Sequence, residues 1–129
     1  CLILVDGYYE WKPVGKLKQP YFFHFSDDRP FAVAGLWESW QPVANSAAER
    51  VETCTLITTD ANSTVAPIHN RMPVILSAND AEVWLDPRNE SAESLQHLLQ
   101  PYPETELVID TVNPYVNNAR HEGPECLQV

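Results

Sequence analysis

The hexapeptide Asp6-Gly7-Tyr8-Tyr9-Glu10-Trp11, DGYYEW in one-letter code, sets a carboxylate among three aromatic rings directly after the apolar run Leu2-Ile3-Leu4-Val5. Side chains alternate along an extended chain, so Tyr8 and Glu10 share one face and Tyr9 and Trp11 the other. One face could pack and the other react. A carboxyl held against rings loses solvation in its charged form, so its pKa rises and it can exchange protons near neutral pH. The plain structural account is a glutamate on a solvent face beside a tryptophan in the core.

Working outward, strand-like runs rich in β-branched and aromatic residues recur at about Leu2–Val5, Tyr8–Lys12, Tyr21–Phe25, Phe31–Trp37, Thr53–Thr59, Pro73–Leu76 and Glu106–Val112. β-structure dominates. Turn material separates the runs: Lys12 to Pro20, Ser26 to Pro30, and a looser Ala/Asn/Ser-rich insertion from Gln41 to Glu49. Helical patterns are fewer. Ser77 and Asp80 resemble a capping box, Ser91 could cap a helix carrying Leu95, Leu98 and Leu99, and Asp60 to Ala66 could form a short helix.

The 129 residues suit one domain, with 44% apolar residues and four tryptophans to build a single core. No window approaches the roughly 18 apolar residues of a membrane span, and no signal-peptide pattern opens the chain. Cys1, Cys54 and Cys126 are odd in number and in no C-x-x-C pair, which suggests neither a disulfide framework nor a zinc site and fits a reducing, cytoplasmic setting. The sequence starts without Met inside a strand-like run, so an N-terminal piece is expected to be absent.

A net charge of −10, taken whole, argues against a nucleic-acid partner. Its distribution says something different. Eight carboxylates face a single Arg88 between Asp80 and Asp110, whereas Lys12, Lys16, Lys18, Arg71 and Arg120 lie in or beside the unusual stretches.

The second such stretch is Ile68-His69-Asn70-Arg71-Met72-Pro73. It reads equally as a strand-entry loop, with Met72 filling the core and Pro73 starting an edge strand, and as a cleft loop. In the second reading Arg71 can hold a phosphate or carboxylate bidentately, and His69 suits proton transfer at physiological pH. His24 alternates with Phe23 and Phe25 and should meet solvent or a polar neighbour; His97 should lie on the surface; His121-Glu122 lacks any ligand spacing. No metal or cofactor is assigned. The four glycines form no P-loop or dinucleotide pattern, and no G-x-S-x-G elbow is present, which removes NTPase, Rossmann and α/β-hydrolase readings.

Seven blocks carry a resemblance: Cys1-Leu2, Asp6 to Trp11, Gln19-Pro20-Tyr21, Ala34-Gly35-Leu36-Trp37-Glu38, Thr55-Leu56-Ile57-Thr58-Thr59, Ile68 to Pro73 and Val116-Asn117-Asn118. In this order they resemble SRAP-domain proteins, the SOS response-associated peptidase-like family, over essentially the whole chain. The resemblance implies an α+β fold, a barrel-like, branched antiparallel β-structure with a few surrounding helices, forming one domain over residues 1–129.

It also implies a chemistry. A cysteine exposed by Met removal, the step behind the family's peptidase label, reacts through thiol and α-amine with the ring-opened aldehyde of an abasic site in single-stranded DNA. The product is a thiazolidine crosslink. By this resemblance Glu10 shuttles protons, His69 assists opening of the deoxyribose, Arg71 holds a DNA phosphate, and Trp11 offers a stacking face. Lys12, placed by its position beside Trp11, is a further phosphate contact, and Asn117 joins the DNA-binding set. The expected partner is single-stranded DNA with abasic sites, met by a monomer with no membrane or metal.

One departure matters. The family's nucleophile opens a Cys-Gly-Arg type terminus, whereas Cys1 aligns with an internal cysteine and should be a buried strand thiol. The nucleophile is then absent from this chain, which by itself should not form the crosslink. Other readings are a non-catalytic single-strand binding domain and, with no complete nucleophile–base–orienter set visible, a peptidase acting on other proteins.

Overall fold

The computed structural model describes residues 1–41, 49–89 and 91–129. Within them the chain runs β1 (Leu2–Val5), β2 (Gly7–Val14), β3 (Leu17–Phe25), β4 (Phe31–Trp40), β5 (Val51–Leu56), β6 (Thr58–Asp60), β7 (Arg71–Pro73), β8 (Ile75–Leu76), α1 (Ala78–Leu85), α2 (Ala92–Leu95) and β9 (Leu107–Thr111), with 3₁₀ turns at Gln96–Leu98, Pro114–Asn117 and Pro124–Leu127. Among the described residues every strand pairing is antiparallel, and the structure branches at β4, which pairs β1, β5 and β8. A second sheet, β2-β3-β9, and the β6-β7 pair complete it. These sheets stay open rather than closing into a continuous barrel. No helix among the described residues is long and apolar enough to cross a membrane.

Strand alternation sorts the apolar residues into two cores. Phe31 and Val33 of β4, Ile75 of β8 and Ile3 and Val5 of β1 point towards Phe23, Phe25 and Leu107 of the second sheet, with Met72 and Val65 between. Ala34, Val74 and Leu76 point the other way, onto Leu98, Ala81 and Trp84 of the helical layer. The β4 sheet is thus covered on both sides at its centre. Its outer ribbon is not: Leu36, Trp37, Trp40, Val51 and Leu56 are exposed.

Several segments depart from their sequence expectations. The Lys12–Pro20 turn shrinks to Gly15-Lys16, because β2 and β3 continue in register to Val14 opposite Leu17. Gly15 has φ +61°, the left-handed first position that a two-residue Gly-x hairpin turn needs. Pro20 is accommodated because β3 pairs with β9 only from Tyr21 onwards, so its missing N–H breaks no ladder there.

The single runs Thr53–Thr59 and Pro73–Leu76 each split. Ile57 donates to Ala34 O and accepts from Val74, while Val74 O accepts from Ala34, so both chains change partners at one crossing. The segment after Asp60 makes turns around Asn62, whose Oδ1 accepts from Val65 N at 3.0 Å, rather than a helix. Ser77 caps α1 as expected, accepting from Asp80 N. Ser91 precedes α2 without a side-chain cap bond, and that helix lasts one turn. The Gln41–Glu49 insertion lies, for 42–48, outside the described residues.

Gly7 is fixed by close approach. A Cβ there would stand 2.3 Å from Phe22 Cζ and 2.5 Å from the Phe23 carbonyl oxygen, and the second contact is backbone of the paired strand. Gly7→Ala is therefore expected to lose about 1–3 kcal/mol of stability by overpacking, read as a lower urea midpoint.

Candidate functional site

Strand β2 carries the site along one face. Tyr8 enters the core, stacked on Phe23 with ring centroids 4.9 Å apart and planes 9° from parallel. Two residues on, the same face reaches the rim, where the Glu10 side chain is 23% exposed. The alternation expected from the hexapeptide holds, but packing and candidate chemistry share a face; the division runs from the start of the strand to its middle. The other face holds Tyr9, whose hydroxyl donates to Cys126 O at 3.2 Å and whose ring packs on Phe22.

Opposite Glu10 stands His69, 59 residues away in sequence, its Nδ1 3.7 Å from Glu10 Oε1. The turn after Asn62 sets this position, since His69 N donates to Val65 O at 3.0 Å. Nδ1 also lies 3.2 Å from Arg71 N and 3.1 Å from Arg71 O. A neutral ring protonated at Nε2 accepts the Arg71 N–H; a ring protonated at Nδ1 offers that proton towards the Arg71 carbonyl and Glu10. Nε2 makes no hydrogen bond to the described residues.

Burial raises the Glu10 pKa above the usual carboxylate range, and this outweighs the opposing pull of His69 and of the Trp11 backbone N–H. At 3.7 Å the imidazole is too far for a full hydrogen bond, so its effect is partial. For a carboxyl raised in the folded state, the native protein binds the proton more tightly than the unfolded chain does. Stability therefore falls as pH climbs from the ordinary glutamate range through the folded value. Glu10→Gln is expected to be more stable than wild type at pH 7, with the gap closing below about pH 4, where both states are protonated. Chemical denaturation across pH checks the sign.

Arg71 opens β7 two residues beyond His69. The strand thus begins at Arg71 and ends at Pro73, and Pro73 does not start it. Met72 fills the core as expected, fully buried. The Arg71 guanidinium folds onto β6: Nη2 donates to Thr58 O at 2.6 Å and to Thr58 Oγ1 at 2.9 Å, Nε reaches Oγ1 at 3.3 Å, and Nη1 meets Asp60 Oδ1 at 3.1 Å. The register, Asp60 opposite Arg71, produces this contact.

Strand alternation puts Lys12, half-buried, on the Glu10 side of β2. Trp11 lies on the reverse face. Its Nε1 donates to Asn117 Oδ1 at 2.6 Å, and Asn117 Nδ2 donates to Lys18 O at 3.0 Å, around an open hollow of about 330 Å³. The six candidate residues thus fall into two groups: Glu10, Lys12, His69 and Arg71 by one face of β2, Trp11 and Asn117 by the other. Asn117 holds the indole and ties the Pro114–Asn117 turn to β3.

Cys1 is half-buried rather than buried, and it precedes β1. It still pairs as a strand residue, its N donating to Gly35 O at 2.9 Å and its O accepting from Gly35 N at 3.0 Å and Trp84 Nε1 at 3.0 Å. The residue borders a hollow that Trp37 and Cys54 of the uncovered ribbon also line. His24 finds polar neighbours, Asp28 at 3.0 Å and Asp110 at 3.1 Å, and His97 is exposed. Tyr8, Thr58 and Asp60 were not singled out as site residues from sequence; the β6–β7 register is the signal that joins the last two to Arg71.

Fold and site together define an α+β domain in which a raised-pKa carboxyl and an imidazole meet beside a surface arginine. The chain belongs to the SRAP family, since the family model described as SOS response associated peptidase matches residues 1–119. Among curated relatives, the abasic site processing protein YoqW of Bacillus subtilis is 38% identical over 99% of this chain and 56% of its own length. The abasic site processing protein HMCES of Gallus gallus is 35% identical over 98% of this chain and 42% of its own. A crystal structure of a protein from Bacteroides thetaiotaomicron superposes with a TM-score of 0.84 at 30% identity, covering 99% of this chain and 55% of that one. The chain spans about half the length of the curated relatives it matches.

Proposed function

We propose that this domain processes abasic sites in single-stranded DNA, as part of a protein whose N-terminal cysteine closes a thiazolidine on the lesion. The observation that carries the reading is the 3.7 Å approach of Glu10 to His69 with Arg71 adjoining. The names of the relatives support it at the level of abasic-site processing.

In this reading His69 assists opening of the deoxyribose to its aldehyde. The α-amine adds to that carbon, Glu10 supplies the proton that lets water leave, and the thiol then adds to the imine to close the ring. Arg71 and Lys12 meet phosphates and Trp11 offers its face to a base, contacts that position the strand without reading sequence. The same N-terminal cysteine, exposed by autoproteolytic Met removal, accounts for the peptidase-type activity. The domain acts as a cytoplasmic monomer.

Cys1 is not the nucleophile on this account. Its backbone is engaged with Gly35 on both sides, and Gly35 lies in a different sheet from Glu10, which supports a nucleophile other than Cys1. The test is intact-mass spectrometry after incubation with abasic single-stranded DNA. A form led by Cys-Gly-Arg should gain the oligonucleotide mass less one water, and the 129-residue chain should not; a crosslink mapped to Cys1 would overturn the assignment.

A further inference from the structure

An anion that approaches Arg71 meets a guanidinium already engaged with Thr58 and Asp60. Thr58 takes Nε and Nη2 through its hydroxyl and carbonyl, which fixes the plane of the guanidinium. Asp60 takes Nη1, and its side chain is 88% exposed, so an anion coming from solvent to the arginine meets a carboxylate beside it. The two neighbours are chemically opposite. One is neutral and only orients; the other carries the charge of a phosphate.

We propose that Thr58 and Asp60 set the DNA affinity of this site through Arg71: Thr58 aims the guanidinium, and Asp60 acts as a built-in rival to the phosphodiester. The inference rests on Arg71 meeting a DNA phosphate. An exposed carboxylate–guanidinium pair is weak enough for a phosphate to displace, yet it must be broken or shared on binding, and a second negative charge remains alongside. Removing the charge while keeping the shape should favour DNA. Removing the orienting hydroxyl should disfavour it.

The experiment measures binding of the 129-residue chain to a fluorescent single strand carrying a tetrahydrofuran abasic analogue, by anisotropy across a salt series. Asp60→Asn is expected to bind about two- to fivefold tighter at low salt, the gain shrinking as salt screens the carboxylate. Thr58→Val should bind about two- to fivefold weaker, and Thr58→Ser, which keeps the hydroxyl, should restore wild-type affinity. In an Arg71→Ala background the Thr58 effect should vanish, because a residue acting through another loses its effect with it, and the Asp60 effect should shrink to the salt-screened repulsion between carboxylate and phosphate.

If Arg71→Ala leaves affinity and salt slope unchanged, the phosphate role of Arg71 fails. If Arg71→Ala weakens binding while Asp60→Asn leaves it unchanged or lowers it, the rivalry is wrong and the phosphate role stands. A loss in Thr58→Val that persists in the Arg71→Ala background would overturn the aiming role of Thr58, as would a failure of Thr58→Ser to rescue.

Discussion

Glu10→Gln is expected to slow crosslinking to abasic single-stranded DNA by about 10²–10⁴-fold, the usual range for losing a positioned proton-transfer group. The change should be measured in a form that carries the Cys-Gly-Arg terminus. Binding of the same strand should stay within about twofold, because an amide of equal shape keeps the surroundings of β2 intact and no phosphate contact is assigned to residue 10. That split between chemistry and binding separates an enzyme from a domain that only holds DNA. A passive binding domain has no rate to lose. The same variant should be the more stable protein at pH 7, since burial raises the Glu10 pKa and a neutral amide removes the desolvated charge. Slower and more stable together is the signature of a group kept for reaction at some cost to the fold.

The second large effect belongs to the floor of the site. Phe23 is fully buried, stacks on Tyr8 and lies in the core between the two sheets. Phe23→Ala should cost about 3–5 kcal/mol, through lost burial and the cavity left behind. Against a typical total of about 5–15 kcal/mol, much of the domain's stability would go. Leu17→Ala on the exposed hairpin end should change stability by no more than about 0.5 kcal/mol, and equilibrium denaturation of the two shows whether the stacked pair supports β2. Loss of that support would reach Glu10 directly, two residues along the strand.

Much of this was legible in the residues. The alternation in Asp6 to Trp11 placed Tyr8 and Glu10 on one face, because strand geometry is local and needs no knowledge of partners. Met72 as core, Ser77 as a cap and the polar setting of His24 follow from the same local rules. The seven ordered blocks pointed to the family that the comparisons then showed. What stayed hidden was non-local. Nothing between Thr53 and Thr59 marks Ile57 as the residue where the chain leaves β4, since the break is made by Ala34 and Val74 from elsewhere. Pro13 and Pro20 look like turn residues, and become strand residues only because the positions they occupy demand no N–H from them. Alternation already put Trp11 on the face away from Glu10, but its partner Asn117, far along the chain, is set by tertiary packing that no local rule reveals.

The meeting of residues 10 and 69 is the claim on which the rest depends, and nuclear magnetic resonance can test it in one titration. With assigned side-chain signals, a single strand bearing a tetrahydrofuran site is added to the 129-residue chain. The account predicts that the Glu10 carboxyl, the His69 imidazole and the Arg71 guanidinium move together and saturate at one DNA concentration. Shifts confined to the exposed β4–β5 ribbon around Trp37 and Trp40, with those three signals unmoved, would contradict it.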